Sequence, residues 1–584
     1  MIALSKERCS CVLLYSGGDS VLFTEMAIDI LRRRYLLKDE EPEDMFRRVA
    51  EDIAGVENKD DCDYWAKRFF EIMMNLEFLP NSPCLFNAGT GNGLSYSACY
   101  GLPVEDSIDG IFETLKKAAI IIKSGGGVGF NFSTLRPEGD IVRSTMGVSS
   151  GPVSFMKVYN EMIEQVRQGG KRRGAAIAVM RADHPDILKF IRAKHEEGAL
   201  SNFNISVFVT DEFMQAVLNN DDWRLINPRD GSTWAVVKAR EIFDEIVYGA
   251  WKNGEPGVLF YDAINRTNPC KHIGSIDVVN PCSEVNLMYY ESCNLGSINL
   301  SKFVDGKDFD WSRLERVVQI AVRFLDNVID AQPYELKEVE KATKRTRKIG
   351  LGIMGWHDAL IKLGIAYNSN EAIEKAEQVM RFIRDVAYRT SMILAEEKGT
   401  FLAWKGSEWE KKGMRMRNAT LTAIAPTGSL SIIANCSSSI EPVFNWVYLR
   451  RNVMDREYFV VHGLFEEMLR SKGLHDEKIL WRVYNEGTIQ TIDEFDNETK
   501  KVFVNALDIS WDWHIRMQAA FQKYVDNSIS KTINMRADAG LEDVRNAIIM
   551  AWKSGCKGIT IYRTGSRNNE VMTYGGCKGG KCSL

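Results

Sequence analysis

The 584-residue sequence predicts an α/β fold, a largely parallel sheet or barrel covered by helices. Three observations carry the prediction. Helical and extended patterns alternate from about residue 78 to about residue 562. Runs such as AAIAVM (175–180) read as buried strands. No internal repeat at solenoid periods competes with this alternation.

Element by element, residues from about 22 to 76 read as helices. PEDMFRRVAEDIAGVE opens on Pro42 and acidic residues and carries apolar residues at helical spacing. FLPNSPCLFNAGTGNG (78–93) is turn-rich. A helix begins at Asp106, where Ile108, Ile111, Phe112, Leu115, Ala118, Ala119 and Ile122 follow the i, i+3, i+4 rule, and it stops at Gly125-Gly126-Gly127. Another follows Gly151-Pro152. Long helices fit 310–331, 370–398 and 509–527, while LTAIAP (421–426) and KGITIYR (557–563) read as strands. The glycine-rich end has few large apolar residues and reads as a mobile tail. Three regions result: helical 1–77, an α/β body 78–565, and the tail 566–584.

Composition narrows the function. Hydrophobic residues make up 45% and charged residues 26%, as in a soluble globular protein. A net charge of −5 gives no broad basic surface for a nucleic-acid polymer. No stretch approaches the roughly 18 apolar residues of a membrane span, and the N-terminus lacks a signal peptide's longer apolar core, so a cytoplasmic location is expected. Twelve cysteines are too sparse for a disulfide scaffold and form no paired CxxC knuckles. The seven histidines are scattered, and no metal site is expected.

The chemistry concentrates in Asn280-Pro281-Cys282-Ser283-Glu284. Asn280, Cys282 and Glu284 alternate on an extended segment and so share a face. A thiol between an amide and a carboxylate can exchange a hydrogen atom, orient a hydroxyl and move a proton. Alone, the segment reads better as a turn with a buried structural cysteine. In APTGSLS, the residues Thr427, Gly428 and Ser429 stand between a strand and a helix, where free amides bind phosphate. Gly125-Gly126-Gly127 ends a helix, which excludes a dinucleotide fingerprint. VLLYSGGDS (12–20) lacks one residue of a phosphate loop and reads as chance similarity. Gln168-Gly169-Gly170-Lys171-Arg172-Arg173-Gly174 by itself reads as a solvated basic turn.

FLPNSP (78–83), SACYGLPVEDSIDGIFE (97–113), KSGGGVGFNFSTLRP (123–137), RQGGKRRGAA (167–176), ESCNLGSINL (291–300), APTGSLS (425–431), SSSIEPVF (437–444) and CKGITIYRTGSR (556–567) occur in this order. Together they resemble the large catalytic chain of ribonucleotide reductases, most of all its adenosylcobalamin-dependent branch, class II. The resemblance implies a ten-stranded α/β barrel with a central finger loop, preceded by a small helical N-terminal region. It implies that Cys282, buried at the finger tip, becomes a thiyl radical and takes the 3′ hydrogen of a ribose. Glu284 would deprotonate the 3′-hydroxyl, and Asn280 would hold the sugar hydroxyls. Cys99 and Cys293 would supply two electrons and end as a disulfide, which Cys577 and Cys582 on the tail would reduce by exchange. Ser82, Ala98, Gly126, Gly127, Thr427, Gly428 and Ser429 would bind a ribonucleoside diphosphate. Asp106, Arg143, Lys171 and Arg172 would serve a deoxynucleotide or ATP effector at a homodimer interface. A thioredoxin- or glutaredoxin-like protein would be the reductant, and adenosylcobalamin the cofactor.

Two departures from the class II pattern stand out. Ser283 replaces a usual glycine, and Asn435-Cys436 replaces a common Gly-Thr. The place of the adjacent tyrosines that relay the radical in class I reads Ile559-Thr560-Ile561-Tyr562-Arg563, with one tyrosine. Residues 1–77 do not resemble an ATP-cone, so control of specificity without overall inhibition by dATP is expected. Two other readings remain: a class I-type large chain that needs a radical-generating partner subunit, and a nucleotide-binding homologue without catalysis.

Overall fold

The computed structural model describes residues 12–16, 19–142, 145–166, 175–196, 198–453, 456–567, 572–573 and 575. Ten strands form one sheet. In chain order they are β1 (Phe78–Pro80), β2 (Cys99–Leu102), β3 (Gly127–Asn131), β4 (Ala176–Arg181), β5 (Phe203–Val209), β6 (Gly257–Phe260), β7 (Ser292–Asn299), β8 (Ile349–Met354), β9 (Thr532–Met535) and β10 (Gly558–Arg563). Strands β2 to β6 run parallel in sequence order. β7 is parallel to β8, and β9 to β10. Antiparallel seams join β2 to β7 and β6 to β10, and β1 pairs antiparallel with β7. Parallel bridges Leu351–Thr422 and Ile424–Ile529 carry β8 across segment 421–425 to the residues before β9. The sheet therefore closes into a barrel of two parallel halves, with its two seams on opposite sides.

The expected strand 421–426 is reduced to those two bridges. The N–H groups of Leu421 and Thr422 go to the Asp526 carboxylate (2.8 and 3.2 Å) rather than to a ladder carbonyl. For the same reason the helix expected over 509–527 spans only Trp511–Gln522. Asp526 and Asn527 leave it to hold the 420–422 backbone, Asn527 Nδ2 donating to the Thr422 carbonyl at 3.0 Å. The helix expected from Asp106 begins at Ile108, because Ser107 Oγ accepts the Gly110 N–H and caps it. Ile108 and Phe112, assigned to its apolar stripe, are 63% and 47% exposed.

The other long helices fall close to expectation, at Pro152–Gln165, Trp311–Ala331 and Asn370–Lys398. In the N-terminal region, Pro42–Ala54 and Cys62–Met74 pack on each other and on Trp311–Ala331. Val12–Ser16 and Asp19–Phe23 form an antiparallel hairpin ahead of them, which the helical pattern did not announce. Met572–Thr573, within the stretch read as a tail, pairs with Leu449 and Arg450. No helix among the described residues is long and apolar enough to cross a membrane.

Candidate active site

Between β6 and β7 the chain turns into the barrel. Val278–Val279 and Asn286–Leu287 pair antiparallel, leaving 280–285 as the tip of a finger. The finger fits because the strands beneath it carry glycine. A Cβ on Gly129 would lie 1.8 Å from the Val279 carbonyl oxygen, and one on Gly101 would lie 2.5 Å from the Val278 side chain.

The tip is held by its own polar groups. Asn280 is fully buried: its Oδ1 accepts the Val285 N–H at 2.9 Å, and its Nδ2 donates to Cys99 Sγ at 3.2 Å. One Nδ2 hydrogen remains available. Glu284 is also buried, and its carbonyl accepts the Ser528 N–H at 2.9 Å. The two departures from the class II pattern fall where glycine is the natural choice, since Ser283 has φ +64° and Asn435 φ +47°. A non-glycine residue pays about 1–2 kcal/mol there, less for asparagine. Thr427 is strained likewise at φ +56°, and its hydroxyl accepts the Ser439 N–H at 2.8 Å.

Cys99 and Cys293 are direct register partners across the β2/β7 seam, both buried. Opposed residues on antiparallel strands have Cα atoms about 4.5–5.5 Å apart, inside the range of about 4.4–6.8 Å that a disulfide requires. Burial, followed by the nearby Cys99 and Glu284, pushes the Cys293 thiol well above its ordinary range. At neutral pH Cys293 offers an S–H rather than a thiolate.

Cys282 departs from the reading as a buried residue. It is exposed, because the tip ends at a cavity of about 1490 Å³ that Cys282 lines. The cavity wall includes Asn204 and Ser206 of β5, Thr532 and Asn534 of β9, and Thr560 and Tyr562 of β10. The period-2 alternation of the strands contributes to this wall, since Ile533, Met535 and Ile559 lie in the apolar core under the outer helices. Asn204 Nδ2 also donates to the Pro281 carbonyl at 2.9 Å, which fixes the tip against the wall. The finger thus stands between the thiol pair at one seam and the chamber at the other.

The remaining sequence-assigned residues are more dispersed. Gly428 lines the cavity; Ser82, Ala98, Gly126, Gly127, Thr427 and Ser429 do not. The Ser82 hydroxyl is paired with that of Tyr35 at 2.8 Å. The Ala98 N–H donates to the Cys293 carbonyl and the Gly127 N–H to the Ala98 carbonyl, so these serve the sheet beside the thiols. Gly126 leaves room for the Tyr100 ring, 2.5 Å from where a Cβ would stand. Ser429 precedes the short helix Leu430–Ile433. The Asp106 carboxylate accepts the Arg136 N–H and Nε at 3.1 and 2.8 Å. Arg143, Lys171, Arg172, Cys577 and Cys582 lie outside the described residues.

Sequence reading missed the groups that fix the finger's return strand. Ser528 Oγ donates to Asn286 Oδ1 at 2.9 Å. Lys348 Nζ reaches the Asn286 carbonyl at 3.3 Å and pairs with Glu291 at 2.6 Å, both side chains being at most 3% exposed. Glu291 stands inside the quoted ESCNLGSINL, but nothing local to that motif points to a lysine 57 positions on.

A closed barrel of two parallel halves, a cysteine finger within it and two opposed thiols beside the finger define a class, the large chain of a thiol-dependent radical reductase. The family model described as "Ribonucleotide reductase, barrel domain" matches residues 97–562, and "Ribonucleotide reductase, all-alpha domain" matches 21–93. The chain belongs to the ribonucleotide reductase family. It is 47% identical to a vitamin B12-dependent ribonucleoside-diphosphate reductase of Thermoplasma acidophilum, over 95% of this chain and 81% of that protein. It is 43% identical to one of Mycobacterium tuberculosis, over 97% of this chain and 83% of that protein. Among solved structures, the class Id ribonucleotide reductase alpha subunit of Actinobacillus ureae superposes with a TM-score of 0.77 at 25% identity, covering 93% of this chain and 97% of that one.

Proposed function

We propose that this chain reduces ribonucleoside diphosphates to 2′-deoxyribonucleoside diphosphates and water, with adenosylcobalamin as cofactor. The observation that carries the reading is the opposition of Cys99 and Cys293 beside an Asn280 that bonds to Cys99. As a thiyl, Cys282 takes the 3′ hydrogen of the ribose and later returns it. Glu284 accepts the 3′-hydroxyl proton, and Asn280 orients the sugar hydroxyls with its spare N–H. The Cys99 and Cys293 thiols give one proton to the departing 2′-hydroxyl, which leaves as water, and the second hydrogen together with the two electrons ends at C2′, closing a Cys99–Cys293 disulfide; the 3′-hydroxyl proton returns from Glu284. Cys577 and Cys582 reopen that disulfide by exchange and are recharged by a thioredoxin- or glutaredoxin-like protein. The diphosphate lies along Thr427, Gly428 and Ser429, near Ser82.

The chamber before Cys282 fits the cofactor. Its volume of about 1490 Å³ exceeds the roughly 300–1,000 Å³ of an ordinary small-molecule pocket. Its hydroxyl and amide groups, from Asn204, Ser206, Thr532, Asn534 and Thr560, would hold a nucleoside. When bound, adenosylcobalamin supplies homolytic one-electron chemistry. A tyrosine relay from a partner subunit has less support, because Ile559-Thr560-Ile561-Tyr562-Arg563 carries one tyrosine where that relay needs two adjacent ones. We extend the reading to a homodimer with a nucleotide effector near Asp106, beside the exposed Ile108 and Phe112, and to a cytoplasmic location.

The test uses the purified chain with adenosylcobalamin, a ribonucleoside diphosphate and dithiothreitol under nitrogen. Deoxynucleotide formation without a second subunit is expected. A requirement for an added radical-generating protein would overturn the cofactor assignment, and inactivity with either would overturn the catalytic one.

A further inference from the structure

Among the charged groups that line the chamber and to which the reaction above gives no task is the carboxylate of Glu441. Its Oε1 accepts the Thr532 N–H at 2.7 Å, and its Oε2 is paired with Lys531 Nζ. The Lys531 side chain is 0% exposed. Its ammonium also donates to His514 Nδ1 at 3.1 Å and to the Thr532 carbonyl at 3.2 Å, so three donors meet three acceptors. His514 Nε2 lies 3.0 Å from the Ala506 carbonyl. Burial, then the Lys531 charge, drives the His514 pKa well down, which keeps the ring neutral and Nδ1 an acceptor.

Desolvating a lysine and a histidine behind one carboxylate is costly and adds little net stability. What it secures is orientation. Glu441 is fixed through both oxygens, is half-buried, lines the cavity with Cys282, and keeps lone pairs for a ligand. Beside it stand Thr532 and, opposite in the β9/β10 register, Thr560. A fixed carboxylate among hydroxyls is the acceptor that a vicinal ribose diol requires, as at the acidic residue of dinucleotide sites.

We propose that Glu441, positioned by Lys531 and His514, accepts the 2′,3′-diol of a nucleoside seated in this chamber, namely the adenosyl half of adenosylcobalamin. The inference rests on the cofactor reading above. The substrate ribose is a different sugar, met by Asn280 and Glu284 on the finger.

The test is equilibrium dialysis of the full chain with labelled 5′-deoxyadenosine and with its 2′,3′-dideoxy counterpart, in the presence of cob(II)alamin. Loss of hydrogen bonds to a charged acceptor weakens binding by about tenfold to a hundredfold. The wild-type chain is expected to prefer the diol by that factor, and Glu441→Gln is expected to abolish the preference while leaving ribonucleoside diphosphate affinity unchanged. The ligand comparison needs no variant, so a poorly folded Glu441→Gln does not remove the test. Equal affinity for the two nucleosides overturns the inference and leaves the cofactor reading standing. Binding of neither overturns both. A Glu441→Gln chain that keeps the diol preference but loses the diphosphate assigns Glu441 to the substrate and overturns the inference as well.

Discussion

Replacing Gly129 with alanine tests how the finger is placed. The added Cβ would stand 1.8 Å from the Val279 carbonyl oxygen and 3.0 Å from the Val278 side chain. Real Cβ contacts essentially never fall below 3.0 Å, so the carbonyl must retreat by at least 1.2 Å. β3 cannot yield instead, since β2 and β4 hold it from both sides. Val279 immediately precedes Asn280, so the displacement passes directly to the tip that carries Cys282 and bonds to Cys99. Overpacking of this kind costs about 1–3 kcal/mol of stability, and a 1 Å misplacement of reacting groups about 100-fold in rate. Gly129→Ala is therefore expected to remain folded and to lose about 100-fold in turnover, measured as deoxynucleotide formed per chain alongside thermal unfolding. Gly540→Ala, whose methyl meets nothing closer than 3.8 Å, is the control. Turnover within threefold of wild type in Gly129→Ala would refute the view that this contact positions the radical cysteine.

Two further outcomes follow from buried charges. Lys348→Met removes the partner of Glu291 and should cost about 3–5 kcal/mol in denaturant unfolding, the range for an orphaned buried ion. Lys348→Met with Glu291→Gln should recover part of that loss, and a fully additive double variant would contradict the pairing. Burial alone would raise the Glu57 carboxyl, but hydrogen bonds from Arg323, Asn327 and Lys398 outweigh it and hold the group at about 2, against 4.5 unperturbed. A depressed carboxyl stabilises the fold above its unfolded value and loses that contribution as pH falls from about 4.5 to about 2. The difference amounts to about 3 kcal/mol. Acid unfolding followed by circular dichroism should show that loss in the wild type and a flatter curve over the same window in Glu57→Gln.

Part of the candidate site was legible in the chain itself, through the order of its motifs. The alternation that drew attention to Asn280, Cys282 and Glu284 assumed an extended segment, whereas 280–285 turns at the finger tip, with Ser283 at φ +64°. The glycines of GGGVGF mark the strand that the finger crosses, although only the structure shows that Gly129 is the position that clears it. The substitutions at Ser283 and Asn435 are intelligible only as dihedral angles: both keep the left-handed backbone without the glycine. Contacts between distant segments were not legible. Glu441, His514 and Lys531 come from three separate stretches, each ordinary alone. The helix expected through 527 stops short because Asp526 and Asn527 serve a strand about 105 residues earlier, which no helical periodicity records. The resemblance implied a buried Cys282, and a motif does not record that the turn ends at an open cavity.

The most direct measurement is a single turnover without external reductant, followed by alkylation and peptide mapping. It is best made with Cys577 and Cys582 changed to serine, so that the tail cannot reopen the product disulfide. One Cys99–Cys293 disulfide per deoxynucleotide released is the predicted stoichiometry, and the Cys282→Ser chain should form neither product. Deoxynucleotide formed with Cys99 and Cys293 still alkylatable as separate thiols would contradict the account.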